Sequence, residues 1–164
     1  MLIRLFTSPR FRAAVLIPLV FLAVGPTAGA SWTWPTDPPH RIQSGFVAPL
    51  TPYSAGHRGI DLMASVGTQV FAPDDGVISF VGRVADRPVI SISHGGGLVS
   101  TVEPVEATVA LGDRVTRGQQ VGMTAEGGHC ADTCLHFGVR RYGYYVSPLN
   151  YLGGAQRAVL LPAL

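Results

Sequence analysis

The chain has 164 residues, 47% of them hydrophobic and 13% charged, with 20 Gly and 13 Pro. That length holds one core, and low charge with many turn formers excludes a disordered polyelectrolyte and favours short strands between turns. All 12 basic residues are Arg, which excludes a Schiff-base lysine, a P-loop lysine and a lysine-borne biotin or lipoyl group. The first thirty residues carry Arg4, Arg10 and Arg12 and no acid, and beyond them nine Arg stand against ten acidic residues. The pI of about 8.8 is therefore no sign of a nucleic-acid partner.

Residues 1–12 are basic, 13–24 (AAVLIPLVFLAV) are apolar, and Ala28-Gly29-Ala30 is a small-residue cleavage pattern. This reads as a secretory signal peptide over 1–30. The apolar run contains Pro18 and falls short of the roughly 20 residues that span a bilayer as a helix. An uncleaved anchor is the alternative, because no charge lies between Arg12 and Asp37. Both readings place the remainder outside the cytoplasm, secreted or in the cell envelope. Cys130 and Cys134 are the only cysteines, and in an oxidising compartment they are expected to pair.

Residues 31–43 (SWTWPTDPPHRIQ) read as an extended lead-in. The folded domain is expected over 44–152, with a tail at 153–164. Short β runs are predicted at 69–72, 76–84, 89–94, 98–105, 120–124, 134–141 and 144–146. Asp74-Asp75-Gly76 and Gly95-Gly96-Gly97 supply turns, and 147–152 has room for a helical turn or two. Strands at this spacing with glycine turns predict an all-β, antiparallel sandwich or barrel. Residues 110–122 (ALGDRVTRGQQVG) suit a tight turn between paired strands.

Two segments carry metal-binding chemistry. In His57-Arg58-Gly59-Ile60-Asp61, Gly59 disfavours a helix, so a loop runs into a strand. Positions 57, 59 and 61 then share a face, and imidazole nitrogen with carboxylate oxygen suits a first-row metal. In 134–140 (CLHFGVR), Cys134, His136, Gly138 and Arg140 point one way, and Leu135, Phe137 and Val139 the other. His136 is the candidate third ligand. Two His and one carboxylate leave a fourth position for water, as catalytic zinc requires.

Six runs, GHRGIDL (56–62), GTQVFAPDDGVISFVG (67–82), ISHGGGLVS (92–100), LGDRVTRGQQVG (111–122), CLHFGVR (134–140) and SPLNYL (147–152), resemble the lysostaphin/LytM-type zinc endopeptidases of bacterial cell walls. The resemblance implies a compact antiparallel β fold with a groove, the duplicated hybrid motif. It implies one zinc on His57, Asp61 and His136, and peptidoglycan peptides as substrate. The chain departs from the pattern at two assisting histidines. Cys134 holds the first position of the H-x-H motif, and Pro104 the histidine position after the glycine hairpin.

Loss of a general base or acid typically lowers rate by about 10²–10⁴-fold. Glu103 and His129 are the candidate replacements. By alternation Glu103 faces away from position 104, as a solvated strand glutamate, unless Pro104 forces a bulge. His129 lies in a Gly-rich loop leading to the zinc strand. For Cys134 three readings exclude one another: a disulfide to Cys130, a fourth zinc ligand, or a free thiol. His94 reads as a hairpin residue. Arg58 either orients Asp61, contacts substrate or lies on the surface, and Tyr142, Tyr144 and Tyr145 either line a peptide groove or pack at a sheet edge. The expected activity is zinc-dependent hydrolysis of peptidoglycan peptides by a monomer. The rival is a zinc-containing wall-binding module that activates another cell-wall hydrolase.

Overall fold

The computed structural model describes residues 32–152 except Pro52. The leader and the tail named above lie outside the described residues. Among the described residues eleven strands follow in order: β1 (Ile42–Ser44), β2 (Gly59–Met63), β3 (Gln69–Phe71), β4 (Gly76–Val84), β5 (Arg87–Gly95), β6 (Leu98–Glu103), β7 (Val105–Ala107), β8 (Arg114–Val115), β9 (Gln120–Thr124), β10 (Cys134–Arg141) and β11 (Tyr144–Val146). A 3-10 turn at Pro148–Asn150 closes the series. The fold is all-β and every strand pairing is antiparallel.

The larger sheet runs β1-β2-β10-β6-β5-β4-β8, with β11 added to β10, and the smaller runs β3-β9-β7. Alternation explains how they meet. Ile60 and Leu62, Leu135, Phe137 and Val139, Val102, Ile90 and Ile92 project inward from the large sheet. Val70, Val121 and Val105 answer from the small one, and all join one buried cluster. The opposite face of β10 presents His136, Gly138 and Arg140, as the period of two requires. Proline has no N–H to give a ladder, and Pro104 divides β6 from β7. The hairpin between β5 and β6 turns on Gly95, Gly96 and Gly97, all at positive φ.

The lead-in is more than an extended arm. Trp32 is 4% exposed, bridges Leu152 and packs against Phe137, Tyr151 and His94. His94 is correspondingly no simple hairpin residue. Its Nδ1 donates to Asp75 O at 2.8 Å, and its Nε2 meets the Ser100 hydroxyl at 2.7 Å. Burial pushes its pKa below the ordinary 6.5, outweighing the Asp75 carbonyl and the charges of Asp74 and Asp75.

Two outcomes follow from this packing. A Cβ at Gly59 would lie 2.3 Å from Phe137 O and 2.7 Å from His136 Nε2. Gly59→Ala should therefore destabilise the domain by about 1–3 kcal/mol in a denaturant titration, with the loss falling between β2 and β10. For His94, a folded pKa below the unfolded one means the unfolded chain binds the extra proton first. Its contribution should be intact above 6.5 and fall away as pH drops from 6.5 to the folded value. Melting of the metal-free protein across that window should depend less on pH in His94→Gln than in the parent. An identical pH slope would show that His94 is not the group responsible.

Candidate functional site

Register brings the first two site residues together. On β10 and β2, His136 stands directly opposite Asp61. His57 arrives just before β2, where it bridges Val47. His57 Nδ1 donates to Gly45 O at 2.6 Å, which leaves Nε2 with its lone pair aimed inward. That Nε2 lies 3.1 Å from Asp61 Oδ1 and 3.2 Å from His136 Nδ1, and His136 Nδ1 lies 2.8 Å from the same oxygen.

Three electron-pair donors thus converge on one small volume. A proton can serve the contact between His136 and Asp61. It cannot serve His57 Nε2 as well, because the proton of the neutral ring is on Nδ1. A cation among the three resolves the repulsion. Tetrahedral zinc with bonds of about 2.0–2.1 Å separates its donors by about 3.3 Å, close to the spacings here. The donor set therefore fits a divalent metal, and the carbonyl behind His57 is the kind of outer partner that fixes a ligand's tautomer.

Asp61 is 2% exposed. Burial by itself would raise its pKa. Hydrogen bonds from His136 and His129, with the electrostatic pull of the His136 and His57 rings, outweigh that and hold the carboxyl well below the usual range.

His129 reaches the same carboxylate from the loop before β10, its Nε2 3.1 Å from both Asp61 oxygens. The loop is held from within. Cys130 and Cys134 form a disulfide with a Cα separation of 5.6 Å. Gly127 N donates to Asp132 Oδ1 at 2.7 Å, and Thr133 Oγ1 donates to Cys130 O at 2.7 Å. Cys134 therefore offers no thiolate to a metal. His57, Asp61, His129 and His136 place one ligand atom each within 4.8 Å of one another.

Glu103 differs from the alternation argument. The β6–β10 register sets it directly opposite His136, and opposite residues share a face. It is also not solvated: its side chain is 13% exposed and Oε1 lies 2.8 Å from Arg87 Nε. The alternation count fails because Pro104 interrupts the run, standing between the end of β6 and the start of β7. Arg87 and the Gly45 carbonyl were invisible in sequence, since each acts across a long separation with no local motif.

A groove of about 550 Å³ opens beside His136 and Glu103. Gly138, Thr101 and Ser91 line it, with the two hydroxyls 3.0 Å apart, and Phe80 and Tyr145 add aromatic surface. Arg58 also lines it, its guanidinium 5.5 Å above the Tyr145 ring and bonded to Ser54 O at 3.0 Å. Tyr142 and Tyr144 are exposed instead.

Residues 55–148 match the family model of peptidase family M23. An uncharacterised protein of Mycobacterium tuberculosis is 38% identical over 125 residues, 73% of this chain and 50% of that one. The murein hydrolase activator NlpD of Salmonella typhimurium is 29% identical over 126 residues, 75% of this chain and 32% of that one. A zinc-containing peptidase from Vibrio cholerae shares the fold with a TM-score of 0.65 at 21% identity, over 80% of this chain and 41% of that one. The chain spans about half the length, or less, of these relatives. The family match takes in His57, Asp61, Glu103, His129 and His136 together, and on it the chain belongs to peptidase family M23.

Proposed function

We propose that this protein is an exported zinc metalloendopeptidase that hydrolyses peptide bonds of bacterial peptidoglycan. The observation that carries the reading is the convergence of His57 Nε2, Asp61 Oδ1 and His136 Nδ1 beside a groove. His57, Asp61 and His136 would hold the zinc, which when bound would supply a Lewis acid able to lower the pKa of a water to about 7. Gly45 fixes the tautomer of His57. Asp61 stays ionised under its imidazole donors. Gly138 and Thr101 leave room for an extended peptide on the sheet face.

Two groups flank the centre and can carry the proton from water to the leaving amine. Glu103 stands across the ladder from His136, and Arg87 keeps its carboxylate in place. His129 stands on the other side, over Asp61.

A second reading has its own observation. Cys134 is tied into the disulfide, and position 104 is proline, so neither assisting-histidine position offers a proton carrier. Together with the similarity to a murein hydrolase activator, this favours a wall-binding module that holds peptide and activates another hydrolase.

Elemental analysis should find one zinc per chain. His136→Ala should lose at least about 100-fold in zinc affinity, beyond the 10–100-fold typical of outer partners. Incubation with cross-linked peptidoglycan should release new amino termini in the parent and none in His136→Ala. His129→Gln and Glu103→Gln then separate the flanking groups. The proton carrier should lose about 10²–10⁴-fold in rate, and a mere neighbour less than about tenfold. Bound zinc with no new termini, across several wall types, would move the assignment to the activator.

A further inference from the structure

Arg140 points into the groove from the same face of β10 as His136. The two are four residues apart on one strand, which is about 13 Å. Gly138 lies between them, so no side chain fills that interval. Across the next pairing Arg140 stands opposite Tyr145, and Arg58 lies over the Tyr145 ring. The Arg58 guanidinium and the strand position of Arg140 thus both adjoin Tyr145, away from the metal-binding end.

The groove's charge is uneven. Arg58, Arg87 and Arg140 line it, and Glu103 is the one acid among its described lining residues. Glu103 is at the His136 end and is paired to Arg87. Among the described residues no ion pair neutralises Arg140. The chain beyond residue 30 has slightly more acids than arginines, so this excess is local rather than a reflection of overall charge. Arginine's planar fork suits a carboxylate.

We propose that Arg140, with Arg58 beside it, forms a carboxylate-binding subsite for a peptide lying along the groove, and so selects peptides bearing a free carboxylate about three to four residues from the metal centre. The inference rests on the reading that the groove holds peptide, but not on whether the peptide is cut.

The test uses the full chain stripped of metal, so that the proposed zinc-dependent cleavage is off, and two fluorescein-labelled peptidoglycan peptides of one sequence. One has free carboxylates and the other has them converted to primary amides. Binding is read by anisotropy, and mass spectrometry confirms that the peptides stay intact. The free acid should bind about 10-fold to 100-fold more tightly than the amide, as a charge-assisted hydrogen bond allows, and the difference should shrink with added salt. Arg140→Gln should erase the difference and leave the amide's affinity in place, and Arg140→Lys should restore part of it. Unchanged affinity for the amide also shows that the variant is folded. Equal binding of acid and amide by the parent would overturn the subsite while leaving the peptide groove standing. A preference that survives Arg140→Gln would overturn the assignment to Arg140. Failure of both peptides to bind would overturn the groove reading and the subsite with it.

Discussion

Asp61 is a nearly buried carboxylate facing three imidazoles, and burial of an ionised acid is tolerable only where donors or a cation meet it. Every element of the site serves that requirement. β2 places the carboxylate, β10 sets His136 opposite it, and the bridge at Val47 brings His57 alongside. The pairing of His136 with Asp61 is a matter of strand register. A slip of one residue would turn every side chain of β10 to the other face, sending His136 into the core and Phe137 into the groove. The core and the candidate metal site are therefore specified together: the apolar positions of β10 lock the register that the polar positions use.

This coupling explains what was legible in the sequence. Alternation in 134–140 announced both faces of β10, and three glycines in a row announced the hairpin that follows β5. The spacing of His57 and Asp61 suggested a shared face, and the family resemblance joined it to His136. Contacts of long sequence separation were not legible. Trp32 looked like part of an extended lead-in because its partners, Phe137, Tyr151 and His94, are all distant in the chain. Glu103 was misplaced for a local reason. Counting alternation across Pro104 assumes one continuous strand, whereas the proline ends β6 and the ladder with β10 decides where Glu103 points.

The loop carrying His129 shows how a small segment can hold a side chain in place without a large core. It has few buried apolar groups. Its order comes from the disulfide and from the Asp132 and Thr133 hydrogen bonds, which also hold Ala131 and Asp132 at positive φ. Holding His129 by covalent closure reduces the loop's freedom at little expense in buried area. The same closure removes the Cys134 thiol from metal chemistry. One bond thus takes a candidate ligand away from the centre and ties down the loop that brings another imidazole to it.

Whether such a centre turns over or only binds depends on proton traffic more than on metal affinity. Three donors with a fixed tautomer are enough to hold a metal in either case. Hydrolysis also needs a base within reach and a peptide held in line with it. Glu103 is placed for the first need by register, directly opposite His136, with Arg87 holding its carboxylate from the neighbouring strand. Arg87 lines the groove as well as pairing with Glu103, so a carboxylate lying in the groove would compete with Glu103 for the same guanidinium. One arginine would then answer both to the occupant of the groove and to the acid beside His136.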